Sequence, residues 1–350
     1  MMAQLPLPRC RANPTLARYD FASDNVAGVI PEVMAALIEA NTGFSASYGA
    51  DETSHRAADL IRAWLDADVV VRFVATGTFS NAISLAMLAG PHEAVLAHEH
   101  SHIATDETGA PGFFGSGVGI TTLSGANGRI DAASLTRMLG RPDHAHAQGG
   151  AAFSLTQATE FGCVYSGEAL EGLIGQAKAA GLKAHIDGAR LTNAVAAGFD
   201  QRRLGRCGVD ILSLGGTKAG ATPTEAIVIF DKALERRIDA RLKHAGQLLS
   251  KGRFAAAPWI GLLENETMVT RATHANAMAR RLANAMPFPI LHPVETCGVF
   301  VQMDETELSR LLDRGWFVYR FIDGSVRFMC SWATTAEAVD ELAADLKAIV

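Results

Sequence analysis

The sequence predicts an α/β protein with a large domain built on a mostly parallel β-sheet and a small α+β domain at the C-terminus. Over the first two thirds of the chain, short apolar runs alternate with amphipathic helical patterns. The runs are apolar on both faces, which is typical of strands covered by helices on both sides of a sheet. From about residue 260, several strand patterns instead follow one another between two helical ones.

The large domain contains eight clear elements. Its strands are short and rich in β-branched residues, and its helices repeat apolar residues every three to four positions. In chain order they are VVVRFVA, FSNAISLAMLA, AAFSLTQAT, GEALEGLIGQAKAAG, LKAHID, DILSLG, AIVIF and DKALERRIDARL. We expect this domain to span residues 1–255.

The C-terminal domain, residues 256–350, begins with one long helical pattern, IGLLENETMVTRATHANAMARRLANAM. The strand patterns PILHPV, GVFVQM, WFVYRFI and SVRFMCSW follow, and a last helix begins near Thr334. Strands clustered between two helices predict a compact α+β unit.

Composition excludes several classes of protein. The 350 residues are 49% apolar and carry a formal net charge of −6, without a basic run that would bind nucleic acid. No apolar segment reaches membrane-spanning length, and prolines and arginines interrupt the first twenty residues, so we expect a cytoplasmic protein. The cysteines are odd in number and widely spaced, which predicts reduced thiols: Cys10, Cys163, Cys207, Cys297 and Cys330.

Ligands of open α/β sheets bind beyond the carboxyl ends of the strands, so we examined the residues that follow apolar runs. Thr76, Gly77 and Thr78 lie between a strand and a helix. Hydroxyl and N–H groups at a helix start can bind a phosphate. The same pattern also fits an ordinary threonine cap.

His98, His100 and His102 would share one face if they lay on a strand, because side chains alternate with a period of two. Three imidazoles on one face are compatible with a zinc site. A structural histidine cluster and an imidazole that contacts a cofactor are the alternatives, since apolar residues are scarce after Leu96 and the strand could end there.

Asp187 and Lys218 each end an apolar strand and lie 31 positions apart, which is one β-α-β step. We therefore expect their side chains to meet across one crevice. Burial would favour the neutral amine of Lys218, a nucleophile towards carbonyl carbon. A cofactor with an aldehyde, a pyridine ring and a phosphate would satisfy Lys218, Asp187 and the Thr76 turn together. Alternatively, Asp187 pairs with Arg190 and caps the next helix.

Arg327 lies in a strand of the small domain, where its fork of N–H groups suits an α-carboxylate. Arg320 competes for this role, and a solvent-exposed edge arginine is the third possibility.

Seven segments together resemble the pyridoxal-phosphate-dependent threonine aldolases, and most closely the bacterial low-specificity L-threonine and L-phenylserine aldolases. They are FASDN, SYGAD, ATGTFSN, SHIATDETGAP, HIDGARLTNA, SLGGTKAG and VRFMCSW. The resemblance covers nearly the whole chain and implies the aspartate aminotransferase fold, also called fold type I. It implies no metal, and it would leave His98 and His100 as surface residues.

The resemblance also assigns roles. It implies Lys218 as the lysine that forms an imine with pyridoxal phosphate, Asp187 as the partner of the pyridine nitrogen, and Arg190 near the phenolic oxygen. His102 would stack on the ring and accept the β-hydroxyl proton, directly or through water. Further roles are phosphate binding for Thr76, Gly77 and Thr78, carboxylate binding for Ser23 and Arg327, and a pocket contribution from Tyr48.

The implied reaction is an aldehyde-lyase reaction, which cleaves β-hydroxy-α-amino acids such as L-threonine, L-allo-threonine or L-phenylserine into glycine and an aldehyde. A homodimer or homotetramer with active sites between subunits is also implied. Two alternatives remain: β-elimination from an aromatic or sulfur amino acid, and a pyridoxal-phosphate fold without turnover. Ala219 departs from the family, which usually has asparagine after the lysine.

Overall fold

A computed structural model describes residues 17–141 and 145–350. In this part of the chain, seven strands form one sheet in the order β1-β7-β6-β5-β4-β2-β3. The strands are β1 (Val70–Val74), β2 (Glu93–His98), β3 (Gly119–Leu123), β4 (Gly149–Thr156), β5 (Lys183–Gly188), β6 (Ile211–Gly215) and β7 (Glu225–Ile229). Only β7 pairs antiparallel with its neighbours, so the sheet is mostly parallel, as expected.

A smaller antiparallel sheet has the order β8-β10-β9, with β8 (Gly298–Val301), β9 (Tyr319–Arg320) and β10 (Val326–Met329). The segment PILHPV, predicted as a strand, makes only an isolated bridge from Ile290 to Val301. Its two prolines explain this difference, because proline cannot donate a ladder hydrogen bond.

The helices fill the connections between strands. They are α1 (Pro31–Ala40), α2 (Glu52–Leu65), α3 (Gly77–Leu88), α4 (His102–Thr105), α5 (Ala110–Phe114), α6 (Ala132–Leu139), α7 (Gly167–Ala179), α8 (Leu191–Ala196), α9 (Arg203–Arg206), α10 (Ile238–His244), α11 (Arg253–Leu263), α12 (Thr267–Ala285), α13 (Glu305–Asp313) and α14 (Ala336–Ile349). Side chains cap several of them: the Thr76 hydroxyl accepts from Phe79 N–H, and Ser166 and Thr335 act alike on α7 and α14. None of the described helices is both long enough and apolar enough to span a bilayer.

Two helical predictions were too long. The pattern DKALERRIDARL forms a short 3₁₀ turn and then α10, because Arg237 adopts a left-handed conformation with φ +67°. The long pattern from residue 260 breaks between α11 and α12, where Asn265 and Glu266 are also left-handed. Left-handed residues cannot continue a right-handed helix.

Alternate residues of the central strands enter two different cores. Val71, Leu96, Leu212 and Val228 pack on one face of the large sheet, together with helices α1, α2, α7 and α11. Val70, Val95, Ile211 and Ile227 pack on the other face, with α3 and α10. This arrangement explains why the strands are apolar on both faces.

A third core joins the small sheet to α12, α13 and α14. Trp259 and Ile260, both on α11, belong instead to the core of the large sheet. The division of the chain at residues 255 and 256 stays a prediction.

The segment 17–30 runs from the small domain to the large one. Arg18 exchanges backbone hydrogen bonds with Gly315 and Phe317, and Met329 N–H donates to the carbonyl of Phe21 at 2.9 Å. At its other end, Ile30 N–H donates to the carbonyl of Gly220, in the turn that follows β6. We refer to residues 17–30 as the N-terminal strap.

Candidate active site

A cavity of about 340 Å³, which we call the main cavity, opens at the carboxyl ends of β4, β5 and β6. The parallel strands place their ends at one edge of the sheet, where ligands of open α/β folds bind. Seven of the residues singled out in the sequence line this cavity: Thr76, Gly77, Thr78, His102, Asp187, Arg190 and Lys218. The structure therefore brings four separate motifs to one place.

Lys218 lies on a 3₁₀ turn, Thr217–Ala219, directly after β6. The turn closes at Gly220, whose φ of +102° suits glycine, and a Cβ there would meet Ile30 at 2.6 Å. Burial and the positive charge of Arg190 lower the pKa of Lys218. Its amine has no hydrogen-bond or ion-pair partner within residues 17–141 and 145–350, so it faces the cavity as a free nucleophile.

Asp187 is buried at the end of β5, with 4% of its surface exposed. Asn81 Nδ2 donates to one carboxylate oxygen at 2.8 Å, and Ala189 N–H donates to the other at 3.0 Å. Although burial raises the pKa of Asp187, the charges of His102 and Lys218 and the Ala189 hydrogen bond hold it below its usual value. Asp187 is thus a buried anion, and no lysine or arginine of the described residues forms an ion pair with it.

His102 begins α4 beyond the end of β2, and its Nδ1 lies 2.9 Å from Glu107 Oε1. This hydrogen bond raises the pKa of His102, although burial opposes it. Glu107 also accepts from Asn81 Nδ2 at 2.9 Å. Asn81 therefore links the imidazole's partner to Asp187 through one buried amide.

The three histidines do not share a strand face, because β2 ends at His98. Residues 17–141 and 145–350 contain no cluster of His, Cys, Asp or Glu suited to a metal ion. The expectation that His98 is a surface residue was wrong: only 3% of its surface is exposed. Its Nε2 lies 3.0 Å from the carbonyl of Gly125, and its Nδ1 accepts from His100 N–H, so it braces the turn after β2.

Thr76, Gly77 and Thr78 lie at the N-terminus of α3, and Thr76 is its N-cap. A Cβ added at Gly77 would meet no atom within 4 Å, so the space beside this backbone is open. The free N–H groups of the first turn and the helix dipole favour an anion there.

Arg190 pairs with Asp24 of the N-terminal strap, not with Asp187. Its Nε and Nη2 donate to the two Asp24 oxygens at 2.6 and 2.9 Å, and both side chains are largely buried. Burial alone would raise the pKa of Asp24, but the guanidinium beside it lowers that pKa to about 2. The sequence allowed a local ion pair between Asp187 and Arg190. In the structure, Arg190 instead pairs with Asp24, which lies 166 positions away in the chain.

We expect the Asp24→Asn variant to be destabilised by about 3 kcal/mol, because it leaves a buried guanidinium without its counter-ion. The folded-state pKa of Asp24 lies below its ordinary value of 3.8, so the pair stabilises the protein above about pH 4 and loses this contribution as the pH falls towards 2. Urea unfolding at neutral and acidic pH measures both effects.

Asp340→Asn is the matched control, because Asp340 makes the same two-pronged contact with Arg281 at an exposed site. It should lower stability much less, because exposed ion pairs are screened by water and contribute little. Equal losses in the two variants would contradict a special contribution of the buried pair.

Arg327, on β10, is buried next to the Asp24 and Arg190 pair but does not line the main cavity. Its Nη2 donates to the Tyr319 hydroxyl, and its guanidinium lies 4.6 Å from the centre of the Phe321 ring. Its Nε is buried and has no hydrogen-bond partner in the part of the chain that the structure describes. The competitor, Arg320, instead forms an ion pair with Glu305 on α13.

Ser23 lies in the N-terminal strap, where its hydroxyl donates to Asp24 Oδ1 at 3.3 Å. Tyr48 lies away from the main cavity of its own chain. Its side chain is 49% exposed, and Lys243 Nζ lies 4.7 Å from the centre of its ring. It borders a second cavity of about 590 Å³ near α2 and α10.

Sequence reasoning missed several polar residues of the main cavity, among them Asn81, Glu160 and Glu225. Glu225 is the first residue of β7, and its Oε2 accepts from Gly216 N–H at 2.7 Å. Burial raises the pKa of Glu225 to about 7. The signal for such residues is a single polar side chain within an otherwise apolar element, as in FSNAISL for Asn81.

The three reduced cysteines Cys163, Cys297 and Cys330 are buried, as expected, and Cys207 is partly buried. Cys10 lies outside the described residues. Burial raises the pKa of the Cys297 thiol to about 12, so it behaves as an inert apolar residue.

Comparison with known proteins shows the family to which this chain belongs. Residues 20–306 match the family described as Beta-eliminating lyase. The chain is 40% identical over 337 residues to the low specificity L-threonine aldolase of Pseudomonas sp. (strain NCIMB 10558), covering 94% of this chain and 97% of the relative. Identity to the protein of the same name from Pseudomonas aeruginosa is 41%, with the same coverage.

Among solved structures, the threonine aldolase of Leishmania major superposes with a TM-score of 0.89 at 26% identity, covering 95% of this chain and 100% of that one. Because it covers 95% of the chain, this likeness extends over residues that the family match does not reach. The chain therefore belongs to the beta-eliminating lyase family and shares the fold of the threonine aldolases.

Proposed function

We propose that the protein cleaves L-threonine and related β-hydroxy-α-amino acids into glycine and an aldehyde, with pyridoxal phosphate as cofactor. The observation that carries this proposal is that the Lys218 amine and the buried Asp187 carboxylate line the same cavity, where the described residues form no ion pair with either. The names of the Pseudomonas and Leishmania relatives support the aldolase reaction over other reactions of the family.

The cavity fits the cofactor at three points. The Asp187 carboxylate needs a positive partner, which a protonated pyridine nitrogen provides. The Lys218 amine is free to bond an aldehyde carbon. Open space beside Gly77 at the start of α3 suits a phosphate. His102 and Arg190 line the same cavity, and we assign them to the ring face and the phenolic oxygen.

When bound, pyridoxal phosphate supplies an electron sink for the pair released from the Cα–Cβ bond. The chain sustains that sink by holding a negative charge at Asp187, which Asn81 and Ala189 keep in place. Lys218 would hold the cofactor through its amine. Thr76, Gly77 and Thr78 would bind its phosphate and so help to orient it.

Arg327 and Ser23 are our candidates for the substrate carboxylate. The unpartnered Arg327 Nε and the nearby Asp24 and Arg190 pair leave one cationic side chain with free hydrogen-bonding capacity. Arg320 is less suited, because its charge is already paired with Glu305 and it also donates to the Gly324 carbonyl.

We expect the Arg327→Ala variant to have a KM for L-threonine roughly 10- to 100-fold higher, because a charge-assisted hydrogen bond contributes about 1.5 to 3 kcal/mol. The increase should be similar for every amino-acid substrate, since all carry the same carboxylate. Steady-state kinetics with L-threonine and DL-phenylserine measure it.

Arg320→Ala serves as control and should leave KM unchanged. If Arg320→Ala raises KM and Arg327→Ala does not, the carboxylate site has been assigned to the wrong strand. Circular dichroism of both variants confirms that the fold is intact.

Product analysis tests the proposed reaction. Purified protein with pyridoxal phosphate should release acetaldehyde and glycine from L-threonine, and benzaldehyde and glycine from phenylserine. Pyruvate and ammonia from aromatic or sulfur amino acids would instead indicate β-elimination. A protein that binds the cofactor but cleaves no amino acid would be non-catalytic.

We further propose loose discrimination at the β-carbon, because a site that senses mainly a hydroxyl and a carboxylate sorts side chains poorly. A cytoplasmic homodimer or homotetramer completes the proposal, with Tyr48 placed to contribute to a partner's cavity. Its exposure and its distance from its own chain's cavity support this assignment. Ala219, where the family usually has asparagine, leaves no side-chain amide next to Lys218, and the Lys218 amine itself is present.

A further inference from the structure

We propose that Glu160 is the base that takes the β-hydroxyl proton of the substrate during cleavage. This inference rests on the proposed aldolase function and adds a catalytic residue to it. It starts from Glu160, which lines the main cavity and whose Oε2 is buried without a hydrogen-bond partner among the described residues.

Glu160 follows β4 in the loop that faces α4. Its Oε1 accepts two hydrogen bonds of 2.9 Å, from His102 N–H and from the Thr156 hydroxyl. These contacts fix the plane of the carboxyl group. Its Oε2 has no partner in the described parts of the chain, although only 8% of the residue's surface is exposed. Such a buried, unsatisfied acceptor costs free energy unless a ligand donates to it.

Charged and titratable groups surround Glu160 on several sides. Asp187 at the end of β5 and Arg190 just beyond it act on its charge with opposite sign. Tyr165 lies further along the same loop, and His102 approaches from α4. Burial, with the Asp187 charge adding to it, raises the pKa of Glu160 to about 7. The carboxyl group can thus both accept and return a proton near neutral pH.

His102, the other candidate, is less suited to accept this proton. Its Nδ1 is bonded to Glu107, and its Nε2 lies 3.5 Å from Asp106 Oδ2. Because Glu107 raises the pKa of His102, the imidazole holds its proton over a wider pH range. A cationic imidazole can face a cofactor ring, but it has no free lone pair for a substrate hydroxyl.

The step balances without any further reactant. The β O–H bond breaks, its proton goes to Glu160 Oε2, and its electron pair becomes the second carbon–oxygen bond of the aldehyde. The electron pair of the broken Cα–Cβ bond stays with Cα. Glu160 then returns its proton to Cα, which completes glycine and restores the carboxylate.

The first test compares Glu160→Gln with the wild-type protein across the pH range. Glutamine keeps the shape and can still accept hydrogen bonds from His102 N–H and Thr156, but it cannot take a proton. We expect kcat to fall about 100-fold with little change in KM, since general base catalysis contributes about 10²- to 10⁴-fold. The acidic limb of the kcat profile, present in the wild type, should disappear.

Glu225→Gln is the matched control, because Glu225 lines the same cavity and its pKa is also raised to about 7, yet Gly216 N–H occupies its Oε2. This variant should keep the acidic limb. A Glu160→Gln profile that retains the limb, or a His102→Gln variant that alone loses it, would overturn the assignment to Glu160.

The second test does not depend on turnover. Infrared difference spectra of the cofactor-free protein, recorded between acidic and alkaline pH, should show a carboxylic-acid carbonyl band that titrates near pH 7. Glu160→Gln should lose part of this band, and Glu225→Gln should lose another part. An unchanged band in Glu160→Gln would show that this carboxyl does not titrate near neutrality, which contradicts the proposal.

The wild-type assay separates the two levels of inference. If the wild type releases no aldehyde from L-threonine or phenylserine, the proposed function fails, whatever the variants do. If the wild type releases aldehyde and Glu160→Gln matches it in kcat and pH profile, the function stands and the role of Glu160 fails.

Discussion

Lys218→Ala is expected to lower kcat for L-threonine cleavage by about 10⁴-fold or more, a loss typical of removing a catalytic nucleophile. Among the described residues, the Lys218 amine lines the cavity without a hydrogen-bond or ion-pair partner, and neither Thr217 nor Ala219 beside it can replace it. The protein should still bind pyridoxal phosphate through the Thr76 turn and Asp187, but without the visible absorption of a lysine imine. Absorbance spectra and aldehyde release measure the two effects.

Borohydride reduction provides an independent test of the same assignment. In the wild type, reduction should fix the cofactor to the peptide that contains Lys218, as mass spectrometry can show. Lys232→Ala is the control, because Lys232 is an exposed lysine that pairs with Asp68. Full activity in Lys218→Ala, or labelling of another lysine, would remove the basis of the proposed function.

Asp187→Asn is expected to lower kcat by about 10³-fold, comparable to the loss of one preorganised electrostatic partner of a transition state. Asparagine has the shape of aspartate but no charge, so it cannot keep the pyridine nitrogen protonated. Its amide can still accept one hydrogen bond, from Asn81 or from Ala189 N–H. Steady-state kinetics and the affinity for pyridoxal phosphate measure the effect.

Asp210→Asn is the matched control. Asp210 is also a buried aspartate of the large sheet, but it lies just before β6, at the opposite edge from the cavity, and pairs with Lys178. Its loss should lower stability and leave kcat unchanged. Equal losses of kcat in both variants would show that Asp187 acts through folding and not through charge at the site.

Local patterns allowed the sequence to predict the fold class and the meeting of Lys218 with Asp187. Apolar runs on a parallel sheet fix where each strand ends, and side chains at those ends converge by topology. The same reasoning brought Thr76 to the cavity, whereas the place of Arg190 there was implied by the family resemblance. The family resemblance was confirmed by the comparisons.

Contacts between distant segments could not be predicted in this way. Asp24 reaches Arg190 only because the N-terminal strap crosses from one domain to the other. Glu160 follows a strand, as Asp187 does, yet its significance depends on which of its two oxygens finds a donor. His98 was misassigned to the surface because the resemblance gave it no role, whereas it is buried and braces the turn after β2 through the Gly125 carbonyl and His100 N–H.

The N-terminal strap also has a consequence for the order in which a newly made chain can mature. Ribosomes release the N-terminal part of a chain first. The backbone hydrogen bonds of Arg18 with Gly315 and of Phe21 with Met329 can form only after about three hundred further residues have been made. Closing so large a loop is slow, since its entropy is lost before the contacts form. The N-terminal strap therefore holds Asp24 in place beside Arg190 only when synthesis is almost finished. Nascent chains that stop before β9 would carry Lys218 and Asp187 without a completed binding site.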